Sequence, residues 1–312
     1  MSKKVPQIIK EIKQFTPPEV NYAFQKSISY SQFSIWRQCP HKWELMYKDG
    51  HQAYTPTIHT VFGTAIHETL QNYLTVMYEK SAAAADRIDI EEYYENTFRE
   101  TYLKEYKANK STHFSSSTEM REFFDDGMNI LNFFKKKKGG YFSRKNWHLV
   151  GCELPLLITP DERYKNVILK GYIDLVMYNQ EENILKIYDI KTSTRGWNDA
   201  TKKDEDKQFQ ILFYKHYYGK QFNIPEDNIE VEFFIVKRKI WEESEFPQSR
   251  IQEFAPLSGK IKMNKAMSSM GNFIEQCFNN DGSFKDITHP ITPNKNCQWC
   301  PFNNNKELCN KE

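Results

Sequence analysis

Residues 167–192 read VILKGYIDLVMYNQEENILKIYDIKT, two runs of apolar and aromatic residues around the polar segment Asn179-Gln180-Glu181-Glu182-Asn183. Short β-rich runs flanking a turn-forming segment predict an antiparallel hairpin. On its second strand Asp189 and Lys191 are two residues apart and leave the same face, while Tyr188 and Ile190 leave the other. Asp174, on the partner strand, falls within about a residue of facing Asp189. Two carboxylates and one ammonium thus converge on one end of a sheet. Neighbouring carboxylates among apolar residues repel unless a cation lies between them, and a divalent ion with oxygen ligands meets that need. An Asp–Lys salt bridge on a solvent-facing strand is the plainer reading, and the hairpin alone leaves both open.

Outward from the hairpin, WHLVGCELPLLIT at 147–159 adds a third strand, giving an antiparallel meander. A helix over Glu205–Tyr218, a strand IEVEFFIVKRKI at 229–240 and a helix near Lys260–Phe278 follow. Upstream the periodicity is helical. Ser31 is placed to cap a short helix through Trp36 and Trp43, and residues 60–79 put Phe62, Ile66, Leu70, Tyr73 and Met77 on one side. Residues 89–108 and 117–138 are further helices, the second ending in Lys135–Lys138 and Gly139, a favourable C-terminus for the helix dipole. Helices followed by β-β-β-α-β predict an α/β core with an N-terminal helical elaboration. With no internal repeat and no long linker, a polar arm over 1–28 precedes one composite domain over 29–312: a helical part at 29–146, the sheet and its helix at 147–240, and a C-terminal helix with a cysteine cluster at 241–312.

Charge and composition narrow the classes. The 43 Lys+Arg against 41 Asp+Glu leave +2, so any nucleic-acid-binding surface must be a local patch rather than a global field. The 39% hydrophobic and 15% aromatic content excludes disorder. No uncharged apolar run reaches the ~18 residues of a membrane span, and MSKKVPQIIKEIKQF is too interrupted by charge for a signal peptide, so a soluble cytoplasmic protein is expected.

Six cysteines are too few for a disulfide scaffold. Cys152 and Cys277 lie among apolar residues and read as buried hydrophobes. Cys39, in W-R-Q-C-P, and the set Cys297-x-x-Cys300 with Cys309 carry a metal signal: four thiolates can close a tetrahedral zinc site or hold a 4Fe-4S cluster.

Asp174, fourteen residues, then Asp189-Ile190-Lys191 resembles the PD-(D/E)XK nuclease signature, with Ile173 where the family often has Pro. G-T-A-I-H ending in His67, and Gln210-x-x-x-Tyr214 after the hairpin, look like the RecB-type branch, which includes AddB and the iron-sulfur CRISPR-associated exonucleases. One cysteine before the core and three after it resembles the iron-sulfur staple of that branch, with zinc the alternative.

The resemblance implies a restriction-endonuclease-like core, a mixed central sheet flanked by helices. It implies a Mg²⁺- or Mn²⁺-dependent deoxyribonuclease, an exonuclease more than an endonuclease, acting on DNA ends or single strands in recombination, repair or phage replication. His67, Asp174, Asp189 and the carbonyl of Ile190 would hold metal, with Glu153 an accessory ligand. Asp174, Asp189, Lys191, Gln210 and Tyr214 would carry catalysis, and Cys39, Cys297, Cys300 and Cys309 the 4Fe-4S cluster.

DNA is the expected partner. No GxxxxGK[ST] loop is present, and Ser258-Gly259-Lys260 is too incomplete to stand for one, so either a separate helicase or recombination protein unwinds DNA in a bacterial or phage-infected cell or the substrates already have free ends. For strand holding, Lys135–Lys138 with Tyr141, Phe142, Arg144, Lys145 and Trp147 is one candidate, against its reading as a capped helix and core strand. Lys202, Lys203 and Lys207 are another. The rival function is a non-catalytic DNA-binding or scaffolding subunit that keeps the fold.

Overall fold

The computed structural model describes residues 5–51, 55–241 and 243–310, so the first four residues of the expected arm and the last two of the chain lie outside it. The helices are α1 Gln7–Gln14, α2 Tyr30–Gln38, α3 Pro40–Trp43, α4 Ile58–Glu79, α5 Ala82–Asp86, α6 Ile90–Ala108, α7 Ser117–Tyr141, α8 Asp199–Lys203, α9 Glu205–Phe222 and α10 Lys260–Cys277. The strands are β1 Lys26–Ile28, β2 Trp147–Ile158, β3 Val167–Asn179, β4 Ile184–Ser193, β5 Ile229–Lys237 and β6 Ile251–Phe254. They form one mixed sheet in which β2, β3 and β4 are antiparallel neighbours. β4 and β5 are parallel, linked by α9, and β6 returns antiparallel to β5.

The hairpin forms as its sequence predicts. Asn179 Oδ1 accepts from the N–H groups of Glu181 and Glu182 (3.0 and 3.3 Å), and Asn183 takes φ 55°, a left-handed value that Asn tolerates. Burial on both faces explains the strands' nearly continuous apolar content. Leu169, Ile173, Val176, Ile187, Val231 and Phe233 pack with α9, α10 and α2, whereas Leu175, Met177, Tyr188, Ile190 and Phe234 pack with α4, α6 and α7.

β3 organises the sheet. At Leu169 it pairs with both β1 (Ile28) and β2 (Ile158), and at Leu175–Asn179 with both β2 and β4. A strand has two edges, so β1 and β4 share one of them, and residues 170–174 between them have no strand partner on that side. β1 stops there because Ser29 caps α2, its Oγ accepting from the Gln32 N–H at 3.3 Å. The opposite border is closed instead: Gln221 of α9 bonds the Leu157 N–H and the Pro155 carbonyl (2.8 and 3.0 Å) along the outer edge of β2.

Several sequence expectations change. The cap of α2 is Ser29, not Ser31. The arm over 1–28 is not merely polar: α1 buries Ile9 and Ile12 in the core, and Lys26–Ile28 joins the sheet. α7 runs through Gly139 and Gly140 to Tyr141. Each glycine costs a helix about 1 kcal/mol, but Tyr141 packs edge-on to Phe234 (5.6 Å) and the next residue, Phe142, is buried, so tertiary packing prevails. Cys277 is buried as expected, whereas Cys152 is only half-buried. Among the described residues no helix is long and apolar enough to cross a membrane.

Candidate active site

The β3–β4 ladder ends at Leu175 opposite Tyr188. One step further the same register sets Asp174 opposite Asp189, where the strands part. There the Ile190 N–H donates to Asp174 Oδ2 at 2.7 Å, a side chain taking the place of a strand. Asp189 shares a face with Lys191, as the alternation requires, and the Lys191 ammonium lies 2.9 Å from Asp189 Oδ2. The pair is held away from water, Asp189 being only 1% exposed.

Helices close the site from both faces. On α9, Gln210 Oε1 accepts from Lys191 Nζ (2.8 Å) and Gln210 Nε2 donates to the Tyr214 hydroxyl (3.0 Å), a chain that the i, i+4 spacing aligns on one helix face. On α4, His67 Nδ1 lies 3.7 Å from Asp174 Oδ2. Gln71, one turn later, donates to Glu153 Oε1 (2.7 Å) and to the Asp174 carbonyl (2.9 Å). Glu153 faces Asp174 across β2–β3 and has φ 49°, a left-handed value uncommon for any residue but glycine and found where function holds the backbone. His67, Glu153 and Asp174 each offer a ligand atom, all within 4.8 Å of one another.

The electrostatics follow from enclosure. Burial pushes both Asp174 and Asp189 up to about 6, against the pull of Lys191. Burial also lowers the His67 imidazole below its ordinary value, favouring the neutral form that offers a lone pair to a metal. A buried carboxylate whose one cationic partner among the described residues is Lys191, a second carboxylate facing it and a neutral histidine are a donor set suited to a divalent cation.

The structure therefore brings together His67, Glu153, Asp174, Asp189, Ile190, Lys191, Gln210 and Tyr214, all singled out in the sequence. It adds Gln71, missed there although its spacing from His67 placed it on the same helix face.

Away from this site, Cys39, Cys297, Cys300 and Cys309 line one cavity. Around it Asn294 Nδ2 donates to the Gln38 carbonyl (2.8 Å) and His41 Nε2 to the Leu308 carbonyl (2.7 Å), so residues flanking the cysteines are tied across the chain. Glu44 accepts from the His289 N–H (2.8 Å), Lys48 (3.0 Å) and His41 (3.3 Å). Burial raises its pKa, and these donors more than offset that, leaving it below the usual carboxylate range.

Of the two readings of the basic-aromatic segment 135–147, the structure favours the structural one. Phe142 is buried, Tyr141 and Trp147 pack against the same core, and Lys138 pairs with Asp86 at 2.9 Å, so these aromatics are structural. Lys202 and Lys203 line a cleft at the foot of α9, with Lys202 over the Phe254 ring (5.9 Å).

No curated protein matches the chain. Residues 27–308 match the PD-(D/E)XK nuclease superfamily, whose restriction-endonuclease-like fold accounts for a mixed sheet flanked by helices with its acidic cluster where two strands part. With nearly its whole length so matched, the chain belongs to that superfamily of nucleases.

Proposed function

We propose that the chain is a Mg²⁺- or Mn²⁺-dependent deoxyribonuclease of the RecB type, acting as an exonuclease on DNA ends or single strands. The observation that carries this reading is the cluster in which His67, Glu153 and Asp174 offer ligand atoms within 4.8 Å of one another, beside the buried Asp189 paired with Lys191. His67, Asp174, Asp189 and the Ile190 carbonyl would hold the cation, with Glu153 accessory. When bound, a divalent cation lowers the pKa of a coordinated water and polarises the scissile phosphate. Lys191 keeps its ammonium at the site by pairing with Asp189 and donating to Gln210, which leaves one N–H to orient water or meet charge developing on phosphate. Tyr214 holds the Gln210 amide, and Gln71 fixes Glu153 against the Asp174 backbone. No covalent link to the protein is required.

The four cysteines fit a 4Fe-4S cluster as a structural staple, zinc being the alternative donor chemistry. The polar ties around that cavity support a structural rather than catalytic role. A place in recombination, repair or phage replication beside a separate helicase remains part of the same proposal.

The test follows end-labelled single- and double-stranded DNA over time with Mg²⁺, Mn²⁺ or EDTA. Progressive shortening from an end, dependent on the cation, is expected. No cleavage with either cation by folded protein would instead favour the non-catalytic scaffold.

A further inference from the structure

The stretch of β3 that lacks a strand partner on one side, 170–174, runs straight into Asp174, and two clefts meet on it. One, of about 200 Å³, lies between the Ser29–Ser31 turn, Lys170–Tyr172 and the Gln210–Tyr214 pair, so it opens beside the catalytic helix. The other, of about 330 Å³, is shared by Tyr22, Lys170 and Tyr172 with the Pro17–Pro18 segment. Both tyrosines are large exposed rings, Tyr22 at 59% and Tyr172 at 50%. Tyr172 is two residues before Asp174, about 7 Å along the strand, close to one nucleotide step. Tyr22 is held on a turn built by Asn21, whose carbonyl accepts from the Phe24 and Gln25 N–H groups (3.0 and 2.8 Å). The floor is open at Gly171, where even a methyl group would touch the Tyr214 ring at 3.6 Å.

We infer that Tyr22 and Tyr172 form a base-stacking clamp that delivers a single DNA strand, not a duplex, to the carboxylate site. This rests on the nuclease reading above and names its substrate form. The inner cleft is smaller than the ~300–1,000 Å³ of pockets that enclose drug-sized ligands, a size suited to a single base. Charge contributes little here, since Lys170 is the one cation and Glu19 the one carboxylate among the lining residues. Aromatic stacking, which tolerates any base, is what remains to hold the strand.

The full-length protein in EDTA, where cleavage cannot obscure binding, is titrated into a fluorescently labelled oligothymidylate and into a labelled blunt duplex. Tyr22→Ala and Tyr172→Ala are each expected to weaken oligothymidylate binding about tenfold and to leave duplex binding unchanged. Tyr22→Phe and Tyr172→Phe keep the stacking face and are expected to bind as the wild type does. Lys170→Ala is expected to reduce the salt dependence of binding by about one phosphate contact. Alanine variants that bind oligothymidylate like the wild type, or that lose duplex binding equally, overturn the clamp. Because binding is read without cation, that result is distinct from failure of the nuclease assay.

Discussion

The carboxylate site and the cysteine cavity are assembled by opposite means. The first is built from the middle of the chain, where two strands of one hairpin part and the gap is filled by charge: Asp174, Asp189 and Lys191. The second joins an N-terminal cysteine to three near the C-terminus, with 257 residues between Cys39 and Cys297. Burying two carboxylates with too few donors costs the fold stability and concentrates chemistry. Tying distant segments does the reverse. Function and stability should therefore separate when each region is perturbed.

The largest expected effect is on activity alone. Asp189→Asn and Lys191→Ala should each reduce cleavage by roughly 10²–10³-fold or more, since each removes charge placed at the reacting phosphate. Asp189→Asn should leave metal-free thermal stability equal or higher, because it removes a buried charge that desolvation and the neighbouring Asp174 both penalise. Near wild-type turnover in either folded variant would remove the hairpin from the active site.

The converse is expected at Cys39. Protein purified without oxygen should be brown and carry iron and sulfide near four each per chain, the stoichiometry of the cluster, whereas zinc would leave it colourless. Cys39→Ala should lose that metal and about 2–5 kcal/mol of stability, the range for opening a long covalent loop, read by denaturant unfolding. Cys152→Ser and Cys277→Ser should leave metal content alone. A stable Cys39→Ala protein with unchanged metal content would break the contrast, because the C-terminal cysteines would then act without their partner.

How legible the two regions were differs for a physical reason. The hairpin is local: period-two alternation and an Asn-rich turn set its register, so Asp174 and Asp189 could be placed to within a residue. The α2 cap and the end of α7 were misplaced because each local signal had a competitor. Ser29 and Ser31 can both cap, and packing of Tyr141 and Phe142 outweighs two glycines. The unpartnered edge at 170–174 could not be read at all, since it depends on where β1 and β4 stop on the same side of β3, a tertiary fact. Gln71 was hidden for a related reason, as its partners Glu153 and Asp174 arrive from two strands far along the chain.

Acid should distinguish the regions more gently. Asp174 and Asp189 titrate near 6 when folded against about 3.9 unfolded, so the folded chain binds their protons more tightly. Their destabilising contribution is present above pH about 6 and is relieved as the pH falls toward 4. Metal-free wild type should thus gain about 2 kcal/mol per carboxylate, on the order of 4 kcal/mol for the two, relative to Asp174→Asn/Asp189→Asn over that interval, measured by urea unfolding at each pH. Stabilisation by added Mg²⁺ should fade over the same interval, since protons compete for the same oxygens. Parallel stability profiles for the two proteins would show that the carboxylates do not carry the burial strain assigned to them.

The smallest effects separate a metal ligand from the residue that aims one. His67→Ala removes a donor from a site that retains its carboxylates, so the concentration of Mn²⁺ needed for half-maximal cleavage should rise about 10–100-fold while activity at saturating Mn²⁺ largely returns. Gln71→Leu removes no ligand but releases the Glu153 carboxylate from the bond that positions it. It should raise the Mn²⁺ requirement less than His67→Ala, by about tenfold at most, and Gln71→Glu should do worse by adding a like charge beside Glu153. The combination is the informative case. If Gln71 acts only by orienting Glu153, then Gln71→Leu should have little further effect on a Glu153→Gln background, whereas additive losses would mean that its bond to the Asp174 carbonyl is the one that matters.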